Sequence, residues 1–246
     1  MDVMFVDAKY HADISLNDKA LSYFKKYKVI ALYAAVQYAH SLKEIIAQLE
    51  KNGNTVITSQ PERTSSPYQI LGCDLSFKNL KLPKKPDAFL YIGDGLFHPK
   101  ALILSQIYEN EFIDVIVYDP IDQEHAVLGI DIVKKELKKY KGSIMKFLAS
   151  DIIGVLITTK PGQEQMRPSF QLKEKYPNKE FYFFVENAVS FNAFENFPFI
   201  EAWVNTACPR LGFDDSQHIT APLLNLNDAL HAEEILSNQI ILHGVK

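Results

Sequence analysis

Only two of the 246 residues are cysteine, Cys73 and Cys208, and only one is tryptophan. Two cysteines so far apart exclude a disulfide-rich scaffold and any metal motif of the CxxC type, and they suit a reducing, cytoplasmic setting. No apolar run approaches the roughly 18–20 residues that a bilayer span needs, and the first residues do not read as a basic-then-apolar leader. No membrane partner is therefore expected. An excess of charge is missing too: 23% of residues are charged, the formal net charge is −4 and the pI is near 6.0. That balance argues against a disordered chain and leaves no footprint for direct nucleic-acid binding. The loops GxxxxGK[ST], GxGxxG and GxSxG are absent, as is a Ser-His-Asp signature, so a hydrolase reading lacks its nucleophile.

What is present is a large apolar fraction, 47%, enough for one large core or two ordinary ones. Its rhythm is an apolar β-rich run, a loop, then an amphipathic stretch. Lys28–Ala35 (KVIALYAA) is almost continuously apolar and reads as a buried strand. Leu42, Ile45, Ile46 and Leu49 then recur at helical spacing within Val36–Asn52, and Gly53 suits the position that ends a helix. Thr55–Ile57, Ala88–Ile92 and Asp114–Tyr118 read as further strands, Tyr68–Cys73 as a helix or turn, and His98 to about Glu109 as a helix. Glu124–Tyr140, with Val127, Ile130, Val133 and Leu137 in helical register, reads as a long connecting helix, and the Lys-rich stretch Lys134–Lys146 as its solvated face.

From Asp151 the rhythm restarts. Strands are expected at GVLIT (154–158), Phe181–Val185 and Ala202–Asn205, and helices at Gln165–Lys175 and Asp228–Ser237. Alternating strands and helices predict an α/β protein of tandem small parallel-sheet βαβ domains with flanking helices. The expected division is 28–149, including the connecting helix, and 150–246. Residues 1–27 hold a strand pattern, Asp2–Val6 (DVMFV), and a helical one, Leu16–Tyr27. A lone βα unit cannot bury a core and must dock on something.

Open α/β sheets bind ligands in the loops at the carboxyl ends of their strands. Cys208, in Asn205-Thr206-Ala207-Cys208-Pro209-Arg210, and Cys73, in Leu71-Gly72-Cys73-Asp74, both fall in such loops. Two thiolates from separate domains could ligate a soft metal or an iron–sulfur cluster. The plain alternative is that cysteine is simply among the most often buried residues. In Tyr91–Pro99 (YIGDGLFHP) a strand runs into Gly93-Asp94-Gly95 and a helix opens near Pro99. Glycines let the backbone approach a ligand, Asp94 could accept from an ammonium or a ribose hydroxyl, and His98 is a candidate donor. An Asp-Gly turn with a capping role accounts for the same residues. Gln37, where the first strand passes into its helix, faces the same crevice or is an ordinary polar residue of a helix start. Arg210 with Asp214 and Asp215 forms a local group that shapes the Cys208 loop or touches a ligand.

Leu71-Gly72-Cys73, Tyr91–Pro99, Tyr118-Asp119-Pro120 and Thr206–Leu211 (TACPRL), in this order, resemble the archaeal-type diphthamide synthase family. Val36-Gln37-Tyr38 resembles the motif that opens its second domain, and Asp2–Asp7 (DVMFVD) looks like the last strand of its first. The resemblance spans essentially the whole chain. It implies three similar small parallel-sheet domains, a dimer, and a 4Fe-4S cluster ligated by one cysteine from each domain. Such a cluster cleaves S-adenosylmethionine to a 3-amino-3-carboxypropyl radical that alkylates a histidine of translation elongation factor 2, the first step of diphthamide formation.

Carried over, the resemblance makes Cys73 and Cys208 cluster ligands and places Gln37, Gly93, Asp94, Gly95 and His98 near the S-adenosylmethionine. It makes residues 1–27 the remnant of a first domain whose cysteine has no counterpart here. The third ligand then comes from another residue type or from a partner chain. A natural short form that pairs with a full-length paralog, an expressed fragment and a divergent member are the competing explanations. The opening Met and strand favour the first. Three functions follow: an aminocarboxypropyltransferase or its subunit, a noncatalytic partner that supports a paralog's cluster, or an α/β small-molecule-binding protein with incidental cysteines.

Overall fold

Two near-continuous apolar runs form the centre of the first of two compact units, 1–132 and 133–246. A computed structural model describes residues 4, 8–11, 13–61, 64, 66–160, 162–214, 219–238 and 240–244. In the first unit, α1 (Asp18–Phe24), β1 (Val29–Ala34), α2 (Lys43–Lys51), β2 (Thr55–Ile57), β3 (Ala88–Ile92), α3 (Phe97–Leu104), β4 (Asp114–Asp119) and β5 (Glu124–Leu128) follow in order. The sheet order is β2-β1-β3-β4-β5, with every pair parallel except β4 and β5. β1 and β3 lie inside it, which is why they are apolar on both faces: all of β3 and nearly all of β1 are buried.

The described part of the N-terminal segment docks on this unit. Asn17 caps α1 by accepting from the Ala20 N–H, 2.9 Å. Phe24 is fully buried, Asn54 donates to the Phe24 and Tyr27 carbonyls, and the Tyr118 hydroxyl donates to the Ser15 carbonyl. The expected strand at Asp2–Asp7 lies outside the described residues, apart from an exposed Met4.

The sequence pattern misassigned Glu124–Leu128. It is an edge strand, not the start of a helix, and pairs antiparallel with β4 from Val115↔Leu128 to Asp119↔Glu124. The reversal is built by Asp119, whose Oδ1 accepts from the Ile121 and Asp122 N–H groups, and by Gln123 in left-handed backbone, φ 55°. Val127 fitted the helical spacing yet is exposed on the strand.

The second unit holds α4 (Lys134–Ala149), β6 (Ile152–Thr158), α5 (Met166–Ser169), α6 (Gln171–Lys175), β7 (Glu180–Glu186), β8 (Ala202–Asn205), β9 (Leu223–Asn225), α7 (Leu226–Leu230), α8 (Ala232–Ser237) and α9 (Ile241–Gly244). Its sheet, β7-β6-β8-β9, is parallel throughout. α4, which sequence pattern attached to the preceding module, packs on β8, β9, α7, α8 and α9 and belongs here. It buries Leu137, Tyr140, Ile144 and Phe147 and leaves Lys134, Lys135, Lys138 and Lys146 exposed, the solvated face expected of it. β9, Leu223–Asn225, is not among the strands expected from the sequence. The chain is thus α/β, two small parallel-dominated sheets with flanking helices. Among the described residues no helix is long and apolar enough to cross a membrane.

Candidate functional site

In the first unit the loops at the carboxyl ends of β1 and β3 converge. The Ala34 N–H donates to the Tyr68 carbonyl, 2.8 Å, and Ala34 bridges to Gln69, so the chain after β2 is drawn alongside the end of β1. A tight turn follows: the Leu71 N–H donates to Asp74 Oδ2, 2.7 Å, the Asp74 N–H to the Leu71 carbonyl, 3.1 Å, and the Leu75 N–H to the Cys73 carbonyl, 2.9 Å. Cys73 sits in this turn with a half-buried thiol.

The loop after β3 meets it. A Cβ placed on Gly72 would lie 2.2 Å from the Phe97 ring, so the Cys73 turn and the Phe97–His98 segment touch at a position that leaves no room for a side chain while the ring stays in place. The Gly93 N–H donates to the Tyr118 carbonyl, 3.1 Å, while Gly93 (φ 150°) and Gly95 (φ 68°) turn the chain around an exposed Asp94. Gln37 Nε2 donates to Asp94 Oδ1 at 3.3 Å, which brings the end of β1 against this loop. His98 lies flat against Tyr91, ring centres 6.2 Å apart. The helix opens at Phe97, with Pro99 in its first turn.

Sequence reasoning passed over Tyr91, a strand residue with nothing local to single it out. It is fully buried, and its hydroxyl has no hydrogen-bond partner among the described residues. Burial, reinforced by the Asp94 carboxylate, pushes its pKa up, so the phenol stays protonated.

In the second unit, Cys208 ends the loop that follows β8, again half-buried. Asn205 holds this loop in shape: its Nδ2 donates to the Cys208 carbonyl, 2.9 Å, and to Asn225 Oδ1, 2.8 Å, while its Oδ1 accepts from the Ala207 N–H, 3.0 Å. Asn225 Nδ2 donates to the Pro209 carbonyl, 3.0 Å. The short helical turn Pro209–Gly212 starts directly after Cys208. Arg210, nearly fully buried, grips Asp214 through Nε (2.7 Å) and Nη2 (2.5 Å), confirming the local pairing; Asp215 lies outside the described residues.

Each unit therefore supplies one thiol, on a hydrogen-bonded turn at the carboxyl end of a parallel sheet. That donor type and access fit a thiolate-ligated cluster. The number does not complete one, and among the described residues no group of three or more His, Cys, Asp or Glu side chains could hold a metal ion.

A model of the diphthamide synthesis protein family matches residues 1–238. The chain is 30% identical to 2-(3-amino-3-carboxypropyl)histidine synthase of Pyrococcus horikoshii over 79% of its own length and 54% of that protein's. It is 27% identical to 2-(3-amino-3-carboxypropyl)histidine synthase subunit 1 of Nematostella vectensis, over 81% of this chain and 41% of the relative. The crystal structure of Dph2 from Pyrococcus horikoshii with a 4Fe-4S cluster superposes with a TM-score of 0.70 at 27% identity, covering 89% of this chain and 60% of that one. The chain thus spans about half the length of the curated relatives it matches.

Proposed function

Since the chain belongs to the diphthamide synthesis protein family, we propose that it acts in the first step of diphthamide biosynthesis. In this reading it transfers the 3-amino-3-carboxypropyl group of S-adenosylmethionine to a histidine of translation elongation factor 2, as enzyme or enzyme subunit. One observation carries the reading furthest. The chain superposes on a relative crystallised with a 4Fe-4S cluster, and its only two cysteines lie on hydrogen-bonded turns at the carboxyl ends of the strands of two sheets. Cys73 and Cys208 would hold the cluster as thiolates, with the third ligand from a partner chain, a paralog or a second copy. Residues 1–27 would then be the end of a further domain of the same kind, and the setting cytoplasmic.

When bound, the cluster supplies the electron that splits a carbon–sulfur bond of S-adenosylmethionine. The protein's own groups bind and orient. Asp94, steadied by Gln37, offers a carboxylate to the substrate's ammonium. Gly93 and Gly95 let the backbone come close, and His98 borders the Cys73 turn through its neighbour Phe97.

The test is anaerobic purification, alone and co-expressed with a full-length paralog, followed by iron and sulfide analysis and transfer of labelled aminocarboxypropyl to the elongation factor. Cluster and transfer that need Cys73 and Cys208 support the reading. Wild-type iron and activity in both cysteine variants overturn it.

The cysteine count favours one second reading, a noncatalytic subunit that supports a paralog's cluster. It predicts a stable heterodimer with a full-length paralog and no S-adenosylmethionine cleavage by this chain alone.

A further inference from the structure

Buried hydroxyls in folded proteins almost always have a hydrogen-bond partner, because an unmet one forfeits its hydration for nothing. Tyr91 breaks this rule at the edge of the candidate site. Its ring lies against His98, and its hydroxyl lies beneath the first glycine of the Gly93-Asp94-Gly95 loop. A Cβ on Gly93 would stand 3.0 Å from that oxygen and 3.2 Å from Ala35 Cβ. The loop thus covers the hydroxyl with the backbone of Gly93, where no side chain intervenes. Two polar groups of opposite character meet at this loop: an exposed carboxylate at Asp94 and a neutral donor at Tyr91. An α-amino acid group offers the matching pair, an ammonium for the carboxylate and a carboxylate for the phenol.

We propose that Tyr91 is a substrate-positioning residue whose hydroxyl gains its missing partner only when ligand binds, donating to the carboxylate of an α-amino acid group held at Asp94 by its ammonium. The proposal rests on the reading that S-adenosylmethionine binds at this loop. It accounts for the orphan: the hydroxyl costs stability in the empty protein and returns that cost as affinity and orientation. Raised proton affinity of the buried phenol keeps it a donor at neutral pH.

The test is Tyr91→Phe, which removes one oxygen and keeps the ring against His98. The anaerobically reconstituted chain is titrated calorimetrically with S-adenosylmethionine and with 5′-methylthioadenosine, which lacks the amino acid end, and melting is followed in parallel. The expected result is a Kd for S-adenosylmethionine weakened roughly ten- to a hundredfold. Methylthioadenosine binding is unchanged, and the ligand-free Tm is equal or higher. Unchanged S-adenosylmethionine affinity overturns the proposal while leaving the functional reading intact. Equal weakening of both ligands, or a Tm lowered by several degrees, shows a structural hydroxyl and overturns it as well. A wild-type chain that binds no S-adenosylmethionine removes the reading itself, and the proposal with it.

Discussion

The ring of Phe97 occupies the space in which a side chain at Gly72 would begin, 2.2 Å from an ideal Cβ. This contact joins the turn that carries Cys73 to the loop that carries Asp94 and His98, across 25 residues of chain and an entire strand.

Gly72→Ala should therefore separate function from stability. Phe97 is 55% exposed, so its ring can swing into solvent, and the cost should fall at the low end of the about 1–3 kcal/mol typical of overpacking. The displaced ring no longer fixes the Cys73 turn. Iron content and S-adenosylmethionine affinity should drop while the melting temperature falls by only a few degrees, a pairing read by iron assay and thermal melts on the same preparation.

Gly154→Ala makes the opposite prediction from the same geometry. Its Cβ would meet the Trp203 ring at 2.4 Å. Here the ring cannot leave: Trp203 is 2% exposed, stacked on Phe194 at 4.2 Å and flanked by Phe184 at 4.9 Å. Destabilisation of about 3 kcal/mol or more is expected in chemical denaturation, with β6 the strand that must shift.

Cys73→Ala and Cys208→Ala should cost roughly 0.5 kcal/mol or less, since both residues lie in loops, only partly buried, outside either core. Each should nonetheless lower the iron and sulfide bound after anaerobic reconstitution. Retention of wild-type iron in both variants would show that neither thiol is a ligand.

His125 makes the first unit sensitive to acid. Burial, with Lys19 nearby, lowers its pKa below the ordinary value of 6.5, and its ring packs on Tyr23 at 4.9 Å. A lowered folded pKa means that the unfolded chain takes the proton first. The contribution is fully present above about pH 6.5 and is lost as pH falls from there through the folded value. Melting curves at about pH 7.5 and about pH 5.5 should show a smaller acid-induced drop for His125→Gln than for wild type.

Asp214→Asn tests the Cys208 loop. Arg210 is 4% exposed and its guanidinium takes two contacts from Asp214, whose own side chain is partly solvated. Removing this carboxylate weakens part of the compensation of a buried cation, and a loss of about 1–3 kcal/mol is expected, read by denaturant titration.

Much of this architecture is legible from pattern alone. β1, β3 and β6 are near-continuous apolar runs because both of their faces are covered, and that excludes an antiparallel sheet with a wet face. Gln37, Asp94 and Cys73 stand out because the residue types that end such strands are chosen by ligands or turns rather than by a core. Other features resist such reading. Glu124–Leu128 spells a helix in local spacing, yet one residue, Gln123 at φ 55°, turns it back onto β4.

The sequence by itself determined the class of fold, two units of alternating strand and helix, because burial on two faces writes itself into runs of apolar residues. It also determined the chemistry on offer, two thiols and a Gly-Asp-Gly loop, since those residue types are irreplaceable by others. Only the tertiary structure decided which of them meet. The Gly72–Phe97 contact, the Gln37–Asp94 hydrogen bond and the orphaned Tyr91 hydroxyl all depend on parallel strands laid side by side in register. Such register comes from packing between segments distant in the chain, which no local pattern records.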